Sequence, residues 1–221
     1  MTQKPPVSRN VRIAEWAIPI LLLAVLGISS YGPIQKQIRA AEKTSAIGNF
    51  KQVFTALYSY ASDHDGHFPS DLESESPTAA ACFDKLIKAE KIDEELTFRN
   101  KKNAQTLSTA STSPPNEVSP LTENENTTGY VMGLTTESRT NIPILFDSST
   151  EAGVFNTSVW EGQAIVVKIN GSSQAMNISY GAGLPLNEDG SGKIGRLTEN
   201  NKDIFQRVPE GCKILPPQLA K

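Results

Sequence analysis

The apolar residues of this chain are concentrated near its N-terminus, in a stretch that contains no charge. Residues Trp16 to Ile34 read WAIPILLLAVLGISSYGPI, which is close to the roughly 20 residues that a helix needs to cross a hydrocarbon core. The pattern therefore predicts a transmembrane helix over residues 13–34. A removable secretory signal and a buried core helix are the alternatives. The run continues directly into a second periodic segment, which favours a retained helix.

A second helical pattern follows the apolar run. Proline removes an intrahelical donor, so Gly32-Pro33 predicts a kink, after which helical periodicity continues to about Asp63. Apolar residues at steps of three and four predict that one face of this helix packs on a folded domain. These residues are Ile47, Phe50, Phe54, Leu57 and Ala61.

The sequence DHDGHFPSDL, from Asp63 to Leu72, predicts the end of this helix. Gly66 can adopt the left-handed conformation that closes a helix, and Pro69 cannot continue one. A metal site is the alternative interpretation, because imidazoles and carboxylates crowd together here. Its ligands would be Asp63, His64, Asp65 and His67.

The middle of the chain predicts a short helix and then a long polar loop. Residues Thr78 to Ile92 have the periodicity of a helix that begins after Pro77. Its inward residues would be Cys82, Phe83, Leu86 and Ile87. The Ser-, Thr-, Asn- and Pro-rich segment 100–126 predicts a loop.

The C-terminal part has the residue pattern of β-strands. Apolar and β-branched runs predict strands near 129–134, 143–147, 163–169 and 173–178. Asn170-Gly171, between the last two runs, predicts a hairpin in which both turn residues have positive φ. An antiparallel sheet of about three or four strands would cover the helix around Phe50 to Tyr60. The predicted fold class is α+β.

These patterns divide the chain into six parts. We expect a cytoplasmic tail over 1–12 with a leader that would end at residue 10, the transmembrane helix over 13–34, and an amphipathic helix and turn over 35–70. A second helical region over 71–99, a polar loop over 100–128, and a β-sheet domain with a C-terminal tail over 129–221 complete the chain.

The net charge argues against nucleic acid as a partner. The basic residues around the apolar run are nearly balanced, so they do not decide its orientation in the membrane. The chain has 21 Lys and Arg against 24 Asp and Glu, a net charge of −3, so no cationic field would gather nucleic acid. Basic residues flank the apolar run on both sides. They are Lys4, Arg9 and Arg12 before it and Lys36, Arg39 and Lys43 after it. Since the foldable residues follow the run, we expect them outside the cytoplasm.

The segment NFKQVFTALYSYASDHDGHFPSDL, from Asn49 to Leu72, resembles the type IV pilins and type II secretion pseudopilins. The apolar helix before it and the strands of Thr128 to Gly171 are also similar to those of pilin-like proteins, so that the resemblance covers about two thirds of the chain. It implies a pilin-like α+β fold, in which a long N-terminal transmembrane and amphipathic helix packs on a C-terminal antiparallel sheet. The similar positions are Asn49, Lys51-Gln52, Tyr58 to Ala61, Asp63, Asp65-Gly66 and Phe68-Pro69.

The resemblance also suggests a processing and assembly segment. Prepilins have a glycine before the cleaved bond and a glutamate at the fifth mature position. The best register places Asn10 at the glycine position, Val11 first and Glu15 fifth. Glu15 fits the family pattern and Asn10 departs from it, so cleavage and methylation are left open. In the family this glutamate meets the terminal amine of a neighbouring subunit. Interfacial snorkelling beside Arg12 is the alternative for Glu15.

A calcium loop is one candidate site. In LNEDGSGKIG, from Leu186 to Gly195, Asn187, Asp189 and Ser191 match positions 1, 3 and 5 of an EF-type loop. Some pseudopilins bind Ca²⁺ in a C-terminal loop. Position 12 is Thr198, and Glu199 lies one residue late. The alternative is a Gly-rich turn whose acidic residues face water.

Cys82 and Cys212 are the only cysteines. In an exported domain they could form a disulfide, and free thiols are the alternative. Enzymatic motifs are absent from the sequence: it has no Gly-x-Ser-x-Gly elbow and no phosphate-binding glycine loop. We therefore expect no catalysis, with a cell-envelope enzyme as the weakest alternative.

The resemblance implies a structural subunit of a type IV pilus or type II secretion-type assembly. Its partners would be other pilin-like subunits or copies of itself, reached through the N-terminal helix, and membrane lipid. It would be a single-pass protein of the cell membrane with an extracytoplasmic C-terminal domain, periplasmic or at the cell surface. The alternative is a surface-exposed binding module on a membrane stalk, which recognises a host receptor, a glycan or a secreted substrate.

Overall fold

The computed structural model describes residues 9–93, 95–98, 121, 126–157, 159–179 and 194–217, and for residues 9–33, 95, 96, 150 and 194 it describes the backbone alone. The chain divides into two compact units, Met1–Glu42 and Lys43–Lys221.

The first element is helix α1, Arg9–Ser62, of 54 residues. Its predicted apolar face is confirmed from Ile47 onward. Phe50, Leu57 and Ala61 are buried, while Ile47 and Phe54 pack against the same core as half-buried residues. The steps of three and four place these side chains on one side of the helix, and their burial is the main stabilising contribution of α1 to the second unit.

The predicted turn after α1 is also confirmed. The Gly66 N–H donates to the Ala61 carbonyl at 2.8 Å, and both Asp65 and Gly66 have positive φ. The Gly66 carbonyl then accepts from the Thr136 N–H at 2.9 Å. A Cβ at position 66 would lie 2.7 Å from Thr136 Oγ1. Both the positive φ and the close approach of the loop that contains Thr136 therefore favour glycine here.

Helix α2 spans Ala79–Lys88, which is shorter than the predicted segment 78–92. Thr78 caps it by accepting the Ala81 N–H at 3.1 Å. Glu90 has φ 55°, its N–H returns to the Ile87 carbonyl, and the Lys91 N–H returns to the Leu86 carbonyl. These bonds form a Schellman motif, which ends the helix before the apolar periodicity does.

The strands in the described part of the chain are β1 (Gly129–Met132), β2 (Pro143–Phe146), β3 (Ser149–Glu151), β4 (Val154–Asn156), β5 (Gln163–Lys168), β6 (Ser173–Ser179), β7 (Ile194–Glu199), β8 (Lys202–Asp203) and β9 (Lys213–Leu215). They belong to one antiparallel sheet. The order of its strands is β3-β4-β7-β6-β5-β2-β1-β9, and β8 pairs with β7. Short 3-10 helices occupy Glu95–Phe98 and Ile204–Arg207.

The hairpin at Asn170-Gly171 is confirmed, but its turn differs from the prediction. The Gly171 N–H donates to the Lys168 carbonyl, and the Lys168 N–H donates to the Ser172 carbonyl. Gly171 has φ 78°, whereas Asn170 is not among the residues with positive φ. A three-residue loop that ends in a left-handed glycine replaces the predicted two-residue turn.

The sheet is strongly curled. Strands β2 and β4 are four places apart in the sheet order, so about 19 Å would separate them in a flat sheet. The rings of Phe146 on β2 and Phe155 on β4 nevertheless have centroids only 5.8 Å apart. Phe205 contacts both rings. The curl therefore encloses an aromatic core between the two parts of the sheet.

The predicted fold class, a pilin-like α+β fold with a long transmembrane and amphipathic helix packed on a C-terminal sheet, is wrong. In the part of the chain whose side chains are described, no helix is both long enough and apolar enough to cross a membrane. The described core residues of α1 lie between Ala46 and Ala61 only. Within the described residues the sheet has nine strands and curls on itself, and strands that were not predicted extend it beyond β6 on one side and beyond β1 on the other.

Candidate functional site

The predicted processing and assembly residues belong to α1, but their side chains lie outside the described residues. The backbone is helical at Asn10, Val11 and Glu15. The predicted membrane span over 13–34 falls in the same stretch, and Ile34 is its one residue with a described side chain. The roles of these residues stay predictions.

The predicted calcium ligands Asn187, Asp189 and Ser191 also lie outside the described residues. The carboxylate that follows them is engaged elsewhere. Glu199 Oε1 accepts from Lys168 Nζ at 2.9 Å, and Oε2 accepts from Arg207 Nη1 at 2.5 Å. Both carboxylate oxygens of Glu199 thus form ion pairs with basic side chains, so a calcium loop would need its bidentate ligand from another residue.

The Glu199 network connects three elements of the sheet domain. Lys168 on β5 is almost fully buried, Glu199 is on β7, and Arg207 is in the second 3-10 helix. The hydrogen bonds from Lys168 and Arg207 lower the pKa of Glu199. A second ion pair, Arg196 Nη1 to Asp203 Oδ2 at 3.0 Å, lies between β7 and β8. These ion pairs have a structural role, because they connect β5, β7, β8 and the 3-10 helix Ile204–Arg207.

Two of the four proposed metal ligands in the helix-ending turn, Asp63 and His64, contact other residues of the chain. The His64 ring stacks on Tyr60 with centroids 3.7 Å apart, and His64 Nδ1 lies 2.8 Å from the Tyr60 carbonyl. Asp63 pairs with Lys91 at 2.6 Å, and the hydrogen bond from Lys91 lowers the pKa of Asp63. Within the described ranges no group of three or more His, Cys, Asp or Glu side chains could hold a metal ion. The arrangement fits the turn interpretation.

In the structure the sulfurs of Cys82 and Cys212 are not bonded to each other. Cys82 is fully buried, and burial raises its pKa to about 12, with the charge of Asp71 as the next cause. Cys212 is half-buried, and burial raises its pKa as well. Burial raises the pKa of the Tyr130 hydroxyl, and the nearby Cys82, Tyr60 and Cys212 raise it further. The disulfide stays a prediction.

A buried carboxylate at the end of β2 was not predicted. Asp147 is fully buried and accepts from Trp160 Nε1 at 2.5 Å, from the Ile165 N–H at 2.7 Å and from Ser148 Oγ at 3.0 Å. These donors come from the β4–β5 loop, from β5 and from the turn into β3. A carboxylate with several hydrogen-bond donors can stay buried, and here it connects the end of β2 to β5 and to the β4–β5 loop.

Sequence reasoning could have found part of this cluster. Asp147 directly follows the apolar run IPILF, where a polar residue ends a buried strand, and Trp160 carries one donor that needs a partner when buried. The contact between them could not be predicted, because it depends on how the sheet curls. The contacts of Glu199 with Lys168 and Arg207 also depend on the curl, and its position in the sequence indicates only a calcium ligand that is one residue late.

Three large apolar side chains are exposed in the described part of the chain. Ile34 and Ile38 on α1 are 51% and 46% exposed, and Leu72 in the loop after α1 is 59% exposed. Ile34 and Ile38 are four residues apart and therefore share one face of the helix. We call Ile34 and Ile38 the exposed pair of α1.

No protein-family model, no curated protein and no solved structure matches this chain.

Proposed function

We propose that this chain is a structural subunit of a type IV pilus or a type II secretion-type assembly, anchored in the cell membrane by its apolar run. Its sheet domain would be displayed outside the cytoplasm. The observation that carries the proposal is the exposed pair of α1, Ile34 and Ile38, on a helix that extends from Arg9 to Ser62. The resemblance of Asn49 to Leu72 to the pilin-like proteins supports it.

The exposed pair has a simple energetic consequence. Covering both isoleucines would contribute about 1 to 3 kcal/mol for each subunit contact, since each is already half covered. The contribution is small for one contact, but it repeats with every subunit of an assembly. We therefore propose other pilin-like subunits, or copies of the same chain, as the partners of α1.

The residues before Ile34 supply the anchor and the polar contact in this proposal. The uncharged run from Trp16 has the length of a membrane span, and lipid would surround it. Glu15, at the edge of the run, would meet the amine of a neighbouring subunit if the chain is cleaved after Asn10. Without cleavage, Glu15 would lie at the interface beside Arg12. We propose no catalytic role for the chain.

A photo-crosslinking residue at position 38 tests the partner directly. The full-length chain is expressed in its native membrane with this residue in place of Ile38, and crosslinked products are identified by mass spectrometry. We expect products with pilin-like subunits or with a second copy of the chain. The matched control has the crosslinker at the exposed Lys36, on the other side of α1, and a further variant has it at Leu72. Products from position 38 that contain lipid alone would contradict the assembly role.

The native N-terminus and the location of the chain complete the test. Mass spectrometry is expected to detect either a chain that begins at Val11, methylated if it is processed as in the family, or an intact Met1. A Val11 start supports assembly, and an intact Met1 favours a static anchor. Recovery from the inner membrane alone, and never from sheared surface fibres, would contradict a major filament subunit. Recovery from the soluble fraction would contradict the membrane anchor itself.

A binding module on a membrane stalk is the second candidate, and the exposure of Leu72 favours it. Leu72 lies between Asp71 and the exposed Glu73, in a loop next to the end of α1. An apolar residue among acidic ones suits a protein ligand with a basic rim. In the crosslinking experiment this candidate predicts an extracellular or secreted partner at position 72 and no subunit contact at position 38.

A further inference from the structure

We draw no further inference here: the strongest candidate, the side-chain cluster of Cys82 and Cys212 around the hydroxyl of Tyr130, restates the disulfide pair already predicted, and no contact between the two sulfur atoms is found among the described residues.

Discussion

The hydroxyl of Tyr58, on α1, donates a 2.7 Å hydrogen bond to the carbonyl of Ile169, at the turn between β5 and β6. The ring of Tyr58 also contacts Phe54 and Phe68, with centroids 4.7 and 5.3 Å away. A Cβ at Gly171 would lie 3.0 Å from the Phe54 ring. The turn and the aromatic face of the helix thus fit closely, and this fit positions the second half of α1 on the sheet.

Replacing Tyr58 with Phe removes this hydrogen bond and keeps the ring. We expect Tyr58→Phe to lower the free energy of unfolding by about 1 kcal/mol, the usual net contribution of one such bond. Urea unfolding followed by circular dichroism measures the change as a lower midpoint with an unchanged slope. Ser59→Ala, at the exposed neighbouring position, is the control and should change stability by less than about 0.5 kcal/mol. Equal midpoints for Tyr58→Phe and the wild type would contradict a role for the bond.

Asp147→Asn tests the buried carboxylate at the end of β2. The amide keeps the size of the side chain but turns an NH₂ group towards Trp160 Nε1–H or the Ile165 N–H, so that two donors face each other. We expect a loss of about 2 to 4 kcal/mol, because a buried donor is left unpaired. Chemical denaturation, followed by circular dichroism, gives the value.

The exposed Asp93→Asn is the matched control for this substitution. A double-mutant cycle with Trp160→Phe isolates the contact between the two side chains. If the two substitutions had additive effects, Asp147 and Trp160 would not be coupled, and the role given to their hydrogen bond would be wrong.

Glu199 makes the stability of the sheet domain depend on pH. Its pKa is lowered from its ordinary value of 4.5, first by the hydrogen bond from Lys168 and then by that from Arg207. Its charge therefore stabilises the folded chain fully above pH 4.5, and this contribution disappears as the pH falls through the lowered pKa. We expect Glu199→Gln to be less stable than the wild type at pH 7, and the difference to shrink towards pH 3.

The measurement is the urea midpoint at several pH values between 7 and 3. Glu137→Gln, at an exposed position in the β1–β2 loop, is the control and should follow the wild-type curve. A difference between Glu199→Gln and the wild type that stays constant down to pH 3 would show that the charge of Glu199 is not the cause.

Ser173, the first residue of β6, offers a stabilising substitution. Its hydroxyl oxygen is buried and has no hydrogen-bond partner in the part of the chain that the structure describes. Ser173→Ala removes an unpaired polar group, so we expect a gain of about 0.5 to 1.5 kcal/mol. Thermal unfolding shows this as a higher Tm than that of the control Ser172→Ala, at an exposed position. A lower Tm for Ser173→Ala would indicate that the hydroxyl has a partner.

The two thiols should differ strongly in reactivity. Thiolates are the reactive form, and with a pKa of about 12 only roughly one Cys82 in ten thousand is ionised at pH 8. In the reduced native chain we expect iodoacetamide to label Cys212 first and Cys82 only after unfolding, as read by peptide mass spectrometry. Cys212→Ser should abolish the fast phase. Equally fast labelling of both cysteines would contradict the burial of Cys82.

The predicted disulfide has its own test. Thiols of the unfolded, exported chain are counted with and without reductant. Two more thiols in the reduced sample would demonstrate the bridge, and equal counts would refute it.

Local patterns predicted the elements that have a clear apolar periodicity or a characteristic turn sequence. The stripe from Ile47 to Ala61, the turn at Gly66 and strands β1, β2, β5 and β6 were found from spacing and turn chemistry. Strands β3, β4, β8 and β9 have two or three residues each, too few to show a period. Strand β7 reads IGRLTE, with a glycine and little apolar content. The predicted fold class was wrong because these strands were missed and because no helix with described side chains is apolar enough to cross a membrane.

The sequence by itself determined the packed face of α1 from Ile47 to Ala61, how the helix ends at Gly66, and where the hairpin between β5 and β6 turns. These features depend on neighbours within a few positions, so the local chemistry of the chain is sufficient for them. The tertiary structure alone decided the curl of the sheet, the contact of Asp147 with Trp160, and the engagement of Glu199 by Lys168 and Arg207. Each of these contacts joins separate elements, and its formation depends on the packing of the whole sheet.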